Sequence, residues 1–481
     1  MKESNLLFIP NVRSAFHKIP WKKIFGVVVV ILFTALFGAV IGYLVVSGNW
    51  IYGVVLLAAV PMLLILHQNP YLGVLVWLFL MPFLLDTQQA AARQAYWLVH
   101  RFLPLIAILF MVLSSSFGKN KRNLPKLNIV EYSMGAYVLV TVLSIVLLNN
   151  EPLATFYRFY DLIIVPFLLY MVIRLYVPHQ QSIRLLIPVA VFITVTQVVI
   201  GIISWVMPSL LPSAWLVYAG ARTTGSLGSV SVYTTTLLFT GLLLLNIGLR
   251  SGTKWKRYLY IGLFLMTLYA AFISYSRASW LATILVLGFL LLMYPKFMGK
   301  LALIGIVAMI VVGPILLSAG YFNWAENRLS SDEADNSALS RLPVYLAAIR
   351  MFGEKPVFGW GYDNFDRFDR KYQSRVGEIV NPDEKDHTSH NLYLTMAAEQ
   401  GLLGLISYLT PFIVLLWRSR QVADYMPNRG MLNKKLFYSL WLVILSFFVV
   451  QNLAPMVVVY GLGVNWITMG LIANFIHIYE H

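Results

Sequence analysis

The chain has no cysteine and few charged residues. The absence of cysteine excludes disulfides, thiolate metal sites and a cysteine nucleophile. Charged residues make up 12% of the 481 positions and apolar residues 59%, which excludes a soluble globular protein. What is present instead is a series of non-alternating apolar runs of roughly 20 residues, the length that crosses a bilayer as a helix. The sequence therefore predicts an all-α, polytopic integral membrane protein.

The apolar runs predict about 12–14 transmembrane helices. We place fourteen spans, of which the second and third are short, near 25–46, 50–66, 70–85, 101–117, 128–148, 158–176, 183–206, 230–249, 258–275, 278–294, 300–318, 402–417, 436–454 and 456–476. Most of the 36 Lys and Arg residues fall inside if the N-terminus is cytoplasmic, as the positive-inside rule requires. The net charge of +16 follows from this bias and indicates membrane lipids, not nucleic acid, as partners.

Three regions follow from this topology. Residues 1–318 form a transmembrane helical region, residues 319–401 a large extracytoplasmic loop with amphipathic helices, and residues 402–481 the C-terminal transmembrane helices. Within the loop, one helix begins near Arg341, and a second is predicted over 363–375, with Asp363 and Arg367 as an i,i+4 pair. The first loop helix carries an apolar stripe made of Leu342, Leu346, Ile349 and Phe352.

Two arginines stand out on the predicted outer side. Arg222 lies in a Gly-, Ser- and Thr-rich segment, 219–228, which is typical either of a concave anion-binding nest or of an ordinary turn. Arg277 divides an apolar stretch and marks an external hairpin, where its guanidinium could bind a substrate anion or lipid phosphates. Both arginines are candidates for contact with a phosphorylated ligand.

His390 is the candidate base. Ser389 is a plausible N-cap, which would put the imidazole in the first turn of the next helix, where the helix dipole favours a neutral ring able to accept a proton. Two other interpretations remain open: a capping or interfacial histidine, and a histidine that helps the helix N-terminus hold an anion. The acidic segment 332–335 does not have the spacing of a metal site.

Four segments together resemble the O-antigen ligase and polymerase superfamily. They are Arg222-Thr-Thr-Gly-Ser, Ser276-Arg277-Ala-Ser-Trp, Arg341 leading to Pro356-Val-Phe-Gly-Trp-Gly-Tyr, and Ser389-His390-Asn391-Leu with Glu399-Gln-Gly-Leu-Leu-Gly. The similarity covers about residues 215–410, and its most specific part is His-Asn-x-x-Leu followed by Glu-x-Gly-Leu-x-Gly.

The resemblance implies an integral-membrane glycosyltransferase of the bacterial inner membrane. Such an enzyme moves a glycan from undecaprenyl diphosphate to an acceptor hydroxyl on the outer side, without metal or other cofactor. Arg222, Arg277 and Arg341 would bind the diphosphate, His390 would act as general base, and Ser389 and Asn391 would support it. Direct attack by the acceptor would invert the anomeric centre.

Other functions share part of this pattern. A lipid-linked glycan flippase or exporter would have a similar helix count and an outer anion site, but transporters place ionisable residues near the membrane midplane. A non-catalytic assembly partner is a third interpretation. The motifs do not separate a ligase, which transfers once to a glycan or lipid acceptor, from a polymerase.

Overall fold

The computed structural model describes residues 63–85, 90–117, 124–176, 180–216, 222–318, 341–373, 389–453 and 458–480, together with a few positions between 35 and 47. These residues form helices and connecting turns, without β-strands in the ranges just given. The prediction of an all-α polytopic membrane protein is confirmed. The acidic segment 332–335 and the stretch 386–388 before Ser389 lie outside the described residues.

In the second compact unit, residues 69–481, the described ranges contain sixteen α-helices. They are α1 (Tyr71–Leu80), α2 (Ala90–Tyr96), α3 (Leu103–Phe117), α4 (Ile129–Leu148), α5 (Pro152–Phe159), α6 (Val165–Leu175), α7 (Gln180–Val206), α8 (Val230–Gly248), α9 (Lys254–Ile273), α10 (Arg277–Met293), α11 (Pro295–Ser318), α12 (Arg341–Glu354), α13 (Phe365–Tyr372), α14 (Leu392–Val422), α15 (Lys434–Leu453) and α16 (Val459–Tyr479). Two π-helical segments, Trp97–Phe102 and Tyr160–Ile164, join α2 to α3 and α5 to α6.

Nine helical segments in the described part of the chain are long and apolar enough to cross a membrane. They are Ala92–Ser116, Ile129–Leu148, Pro152–Leu175, Ile183–Val206, Val230–Gly248, Lys254–Ile273, Leu392–Val422, Lys434–Leu453 and Val459–Tyr479, with shorter apolar helices at Tyr71–Phe83 and Arg277–Met293. The total of twelve to fourteen stays a prediction, because the first two predicted spans lie largely outside the described residues.

The core of the bundle is built around α8 and α16, which are buried along nearly their whole length. Helix α8 packs on α9, α15 and α7, and α16 packs on α6 and α15. Small and hydroxyl residues allow these close approaches: Thr240 in α8 bonds Thr194 in α7 at 2.8 Å. Because these helices face protein on nearly all sides, they bury polar residues as well, such as Thr234 and Asn246 in α8 and Asn465 and Asn474 in α16.

Successive spans alternate in direction, so the bundle has two distinct ends. One end holds the turn before α10, the loop helices α12 and α13, the start of α14 and the end of α15. The other end holds the loops 249–253 and 423–433 and the C-terminus of α16. We call the first the site end and the second the opposite end.

The first loop helix packs with a different face from the predicted stripe. Helix α12 buries Val344, Ala347, Ala348 and Met351. All of these except Ala347 cluster with Phe365 of α13 and Ala398 of α14. Leu342 and Ile349 of the predicted stripe are exposed. The alanines on the buried face allow α12 to pack closely on α14.

The predicted Asp363–Arg367 pair is wrong. Helix α13 begins only at Phe365, so Asp363 precedes it with a positive φ of 63°. Its carboxylate instead bonds Arg158 at the start of the sixth predicted span, with 2.8 Å between Nη1 and Oδ1. Burial raises the pKa of Asp363, and the neighbouring guanidinium partly offsets that rise. The pair ties the loop to the transmembrane helices at the site end.

Candidate functional site

The glycine-rich turn after α12 docks directly on a kink in α14. Helix α14 runs through the predicted boundary at 401–402, and it bends at Gly401, where φ is 63° and ψ is −161°. Across this kink, Trp360 N donates to Ala398 O at 3.0 Å, and Leu402 N donates to Pro356 O at 2.8 Å. A Cβ on Gly401 would lie 2.3 Å from Val357 O. The Pro356–Tyr362 motif and the Glu-x-Gly-Leu-x-Gly motif are therefore one backbone-to-backbone joint.

Glu399 belongs to this joint and not to an open site. Its Oε1 accepts a hydrogen bond from Phe365 N at 3.0 Å, which fixes the start of α13. Gln400 beside it donates to Thr141 of α4 at 3.1 Å. Both side chains are buried. The Glu-x-Gly-Leu-x-Gly motif thus anchors the segment with α12 and α13 to the bundle.

His390 lies just before α14, not in its first turn. The N-cap is Asn391, whose Oδ1 accepts from Tyr393 N at 3.0 Å and Leu394 N at 3.1 Å. The prediction that Ser389 caps this helix is therefore wrong. Because the Asn391 carboxamide already binds these N–H groups, the helix N-terminus is less suited to hold an anion.

Ser389 supports the turn that presents the imidazole. Its buried hydroxyl donates to Asn391 O at 2.6 Å and lies 2.6 Å from Thr395 Oγ1. His390, between Ser389 and Asn391, has a φ of 54°, a conformation that residues with a side chain rarely adopt. The flanking contacts hold this conformation, and the imidazole is half-buried.

Arg341 and Asn391 bind the same end of α15. The Asn391 Nδ2 donates to Asn452 Oδ1 at 3.1 Å, and Arg341 Nη1 donates to Leu453 O at 2.7 Å. A guanidinium has five N–H donors, and the bond to Leu453 uses one of them. The structure thus brings the His390 turn and Arg341, predicted from separate motifs, onto two adjacent residues.

Trp205 contacts a sequence neighbour of Arg222 and one of Arg277. The Trp205 Nε1 donates to Thr223 Oγ1 at 2.8 Å, and its ring lies 5.3 Å from the ring of Tyr275, two residues before Arg277. Helix α10 begins at Arg277 and packs antiparallel to α15, so Arg277 and Leu453 lie at the same end of neighbouring helices. Arg222 and Arg277 therefore lie at the site end, as Arg341 does.

The segment around Arg222 is not an open nest along its whole length. Gln197 of α7 brackets Ser226, with Oε1 accepting from Ser226 N at 3.0 Å and Nε2 donating to Ser226 Oγ at 2.8 Å. Leu227 N donates to Thr224 O at 3.2 Å. These N–H groups are used within the protein, so the Arg222 side chain is the better candidate for an anion contact.

All three positive-φ residues other than glycine in the described part of the chain lie at this end: Tyr275, Asp363 and His390. Each costs of order 1 kcal/mol or more and persists only where surrounding contacts fix it. His390 is itself a predicted site residue, and Tyr275 lies two residues before Arg277. Strain of this kind concentrates at active sites and ligand clamps.

Sequence reasoning missed a charged cavity at the site end. A cavity of about 480 Å³ is lined by Arg93, Trp97, Arg101 and Asp161, and it reaches Gly228 of the Arg222 segment. Arg101 binds Asp161 through two bonds of 2.6 Å and stacks 3.8 Å from the Trp97 ring. The sequence signal that could have predicted this cavity was the arginines interleaved with aromatic residues near the ends of predicted spans. The π-helical segments that orient these side chains leave no recognisable sequence pattern.

Comparison with known proteins finds a family similarity for part of the chain. Residues 261–409 match the family model described as O-antigen ligase. An uncharacterized protein of Haemophilus influenzae is 27% identical over 146 residues, which cover 28% of this chain and 36% of that relative.

The matched segment contains Arg277, Arg341, His390 and the α14 joint, so the family match and the geometry concern the same part of the molecule. Residues 261–409 are thus similar to the O-antigen ligase family, and the chain is a multi-pass membrane protein.

Proposed function

We propose that the protein is a polyprenyl-diphosphate-dependent glycosyltransferase of the cytoplasmic membrane. It would transfer a glycan from undecaprenyl diphosphate to an acceptor hydroxyl at the site end, which faces the outside of the membrane. His390 would act as general base, and Arg222, Arg277 and Arg341 would bind the diphosphate. The family supports the glycan-transfer part of this proposal.

The observation that carries the proposal is the shared attachment of Arg341 and Asn391 to α15. Asn391 follows His390 in the chain, and the bonds to Asn452 and Leu453 bring the His390 turn and Arg341 to adjacent residues of α15. A base next to a phosphate-binding cation is what transfer from a diphosphate needs, because a proton leaves the acceptor while negative charge grows on the leaving group.

The proposed step forms one bond and breaks one. The acceptor oxygen attacks the anomeric carbon, the bond from that carbon to the phosphate oxygen breaks, and undecaprenyl diphosphate leaves with the electron pair. The acceptor proton passes to the His390 imidazole. Attack opposite the leaving group inverts the anomeric centre, and planar guanidinium groups stabilise the departing diphosphate by charge-assisted hydrogen bonds.

The distribution of basic residues supports the outward orientation of the site end. The opposite end carries Lys254, Lys256, Arg257, Lys296 and Lys300 around α9, α10 and α11, and Arg418 and Arg420 at the end of α14. Under the positive-inside rule this end is cytoplasmic. The site end would then receive substrates after they have crossed the membrane.

Reconstitution of the purified protein with lipid-linked repeat units tests the proposal. We expect His390→Ala to retain donor binding and to lose transfer, followed as release of undecaprenyl diphosphate. Arg341→Ala should lower turnover, with partial recovery in Arg341→Lys, which restores charge without the planar fork. Transfer at the wild-type rate by His390→Ala would overturn the base assignment.

Arg350→Ala is the matched control for Arg341→Ala. Arg350 lies in the same helix, α12, and also donates one hydrogen bond to a backbone oxygen, Tyr372 O, at 2.9 Å. Both substitutions remove one positive charge and one such bond, but Arg350 does not contact α15. Equal loss of turnover in the two variants would show that Arg341 acts through fold stability alone.

The same assay separates the alternatives. A flippase would move the lipid-linked glycan across the vesicle membrane without releasing undecaprenyl diphosphate. A non-catalytic assembly partner would still support transfer when it carries the substitution His390→Ala. Growth of product chains without an added acceptor indicates a polymerase. A single transfer that requires an added glycan or lipid acceptor indicates a ligase.

A further inference from the structure

A second polar cavity lies at the opposite end of the bundle, far from His390. It has a volume of about 640 Å³ and lies among the end of α8, the start of α9 and the loop before α15. Tyr294, which follows α10 at its far end from Arg277, donates to Asn246 of the cavity wall at 2.5 Å. The glycan-transfer site does not account for this cavity.

The cavity wall is strongly cationic. Five basic residues line it, and its lining in the described part of the chain contains no carboxylate; the five are Arg184, Arg250, Lys256, Arg257 and Arg429. The nearby carboxylate of Asp424 is bound to Lys434 at 2.8 Å. Like charges gathered in one concave space repel, and a bound anion relieves that repulsion.

Arg250 is built into the wall and is not a loose surface side chain. It is half-buried, and its Nη1 donates to Gly430 O at 3.2 Å across the cavity. Burial lowers the pKa of Arg250, since removal from water disfavours its charge. Asn433 holds the facing loop, with Nδ2 donating to Gly430 O at 2.9 Å. The cavity thus has a fixed shape before any ligand binds.

A helix dipole adds to the positive potential. Lys256 and Arg257 stand in the first turn of α9, and no side chain caps this helix at Thr253. The N-terminus of α9 therefore borders the cavity and carries partial positive charge. At the start of α15, by contrast, Leu436 N already donates to Asn433 Oδ1 at 2.9 Å.

We propose that this cavity binds a phosphate-bearing anion on the face of the membrane opposite the glycan-transfer site. Five cations with the N-terminus of α9 suit phosphate oxygens, and the volume suits a headgroup-sized ligand. The phosphate could belong to an anionic lipid headgroup or to a soluble phosphate. This inference does not depend on the proposed glycan transfer.

Binding to the purified full-length protein in neutral detergent tests the proposal. The probes are phosphatidylglycerol, zwitterionic phosphatidylcholine as reference, and inorganic phosphate. Native mass spectrometry counts bound lipid, calorimetry measures phosphate binding, and thermal unfolding reports stabilisation by either. The test variant is Lys256→Gln with Arg429→Gln, whose exposed side chains do not belong to the core.

The control variant is Lys296→Gln with Lys300→Gln. Both lysines lie in α11 at the same end of the bundle, outside the cavity lining, and the change in net charge is the same. We expect the test variant to bind the preferred probe at least about tenfold more weakly than the wild type, and the control to bind as the wild type does. Arg184→Gln, on a different helix, should weaken binding as well.

The outcomes are distinct. If the protein prefers phosphatidylglycerol and inorganic phosphate does not compete with it, the ligand is a lipid headgroup. If inorganic phosphate binds saturably, the ligand is a soluble phosphate. Both results support the proposal. Equal loss in the test and control variants would mean diffuse attraction to surface charge and would overturn it. So would a wild-type protein that neither probe stabilises.

Discussion

Asn391→Asp separates the two roles of Asn391 at the candidate site. Asp is as good an N-cap as Asn, so the bonds to Tyr393 N and Leu394 N persist and α14 still begins at the same place. The bonds from Nδ2 to Asn452 cannot persist, because a carboxylate has no donor and would face the oxygens of Asn452. The substitution therefore detaches the His390 turn from α15.

The magnitude follows from the two lost bonds. They measure 3.1 Å and 3.4 Å, and one neutral bond contributes about 1 kcal/mol, so we expect the free energy of unfolding to fall by about 1–2 kcal/mol. A displacement of a catalytic group by about 1 Å can cost about 100-fold in rate. Turnover in the reconstituted assay should therefore fall by about 10- to 100-fold.

Two comparisons sharpen this test. Asn128→Asp makes the same change at the N-cap of α4, whose Oδ1 accepts from Val130 N at 2.8 Å at the opposite end, and it should leave turnover unchanged. In a protein that already carries Asn452→Ala, Asn391→Asp should cost little more, because the two residues act through one contact. Wild-type turnover by Asn391→Asp, with α14 intact, would refute the positioning role of Asn391.

Two further predictions concern the joint and the Arg222 segment. Gly401→Ala puts a Cβ 2.3 Å from Val357 O in a backbone conformation that suits only glycine. It should therefore lower the free energy of unfolding by about 3 kcal/mol or more. The control Gly353→Ala, with no atom within 4 Å of its Cβ, should change the free energy of unfolding little in the same thermal unfolding assay. An unchanged unfolding midpoint for Gly401→Ala would contradict the joint. Trp205→Phe keeps the ring beside Tyr275 and loses the bond to Thr223, so turnover should fall several-fold with at most about 1 kcal/mol of lost stability. Trp441→Phe, which loses an equivalent bond to Ser419 at the opposite end, should keep wild-type turnover, and equal activity of both variants would exclude a positioning role for Trp205.

The membrane class and the helical architecture could be predicted from the sequence because both depend on local composition. A run of about 20 apolar residues forms a spanning helix whatever its neighbours are, since every backbone group must be bonded within the segment. Arg277 could be predicted at a helix end for the same reason, because a charge interrupts such a run. The starts of α12 and α10 were also readable from residues adjacent in sequence.

The position of His390 shows where local reasoning stopped. Ser389 and Asn391 are both compatible with an N-cap, and Asn391, which takes that role, also contacts Asn452, 61 residues later. Likewise, Asp363 has a suitable partner four residues away, but it binds Arg158, 205 residues earlier. The competing partners are chemically equivalent, so composition cannot choose between them.

The sequence by itself thus determined a polytopic helical protein and the kinds of side chain available for transfer chemistry. Only the tertiary structure decided that the glycine motifs form a joint, that Arg341 and the His390 turn share the end of α15, and that basic residues at the opposite end enclose a cavity. The physical reason is that spanning helices are specified by contacts within each segment, whereas a site is specified by contacts between segments far apart in the chain.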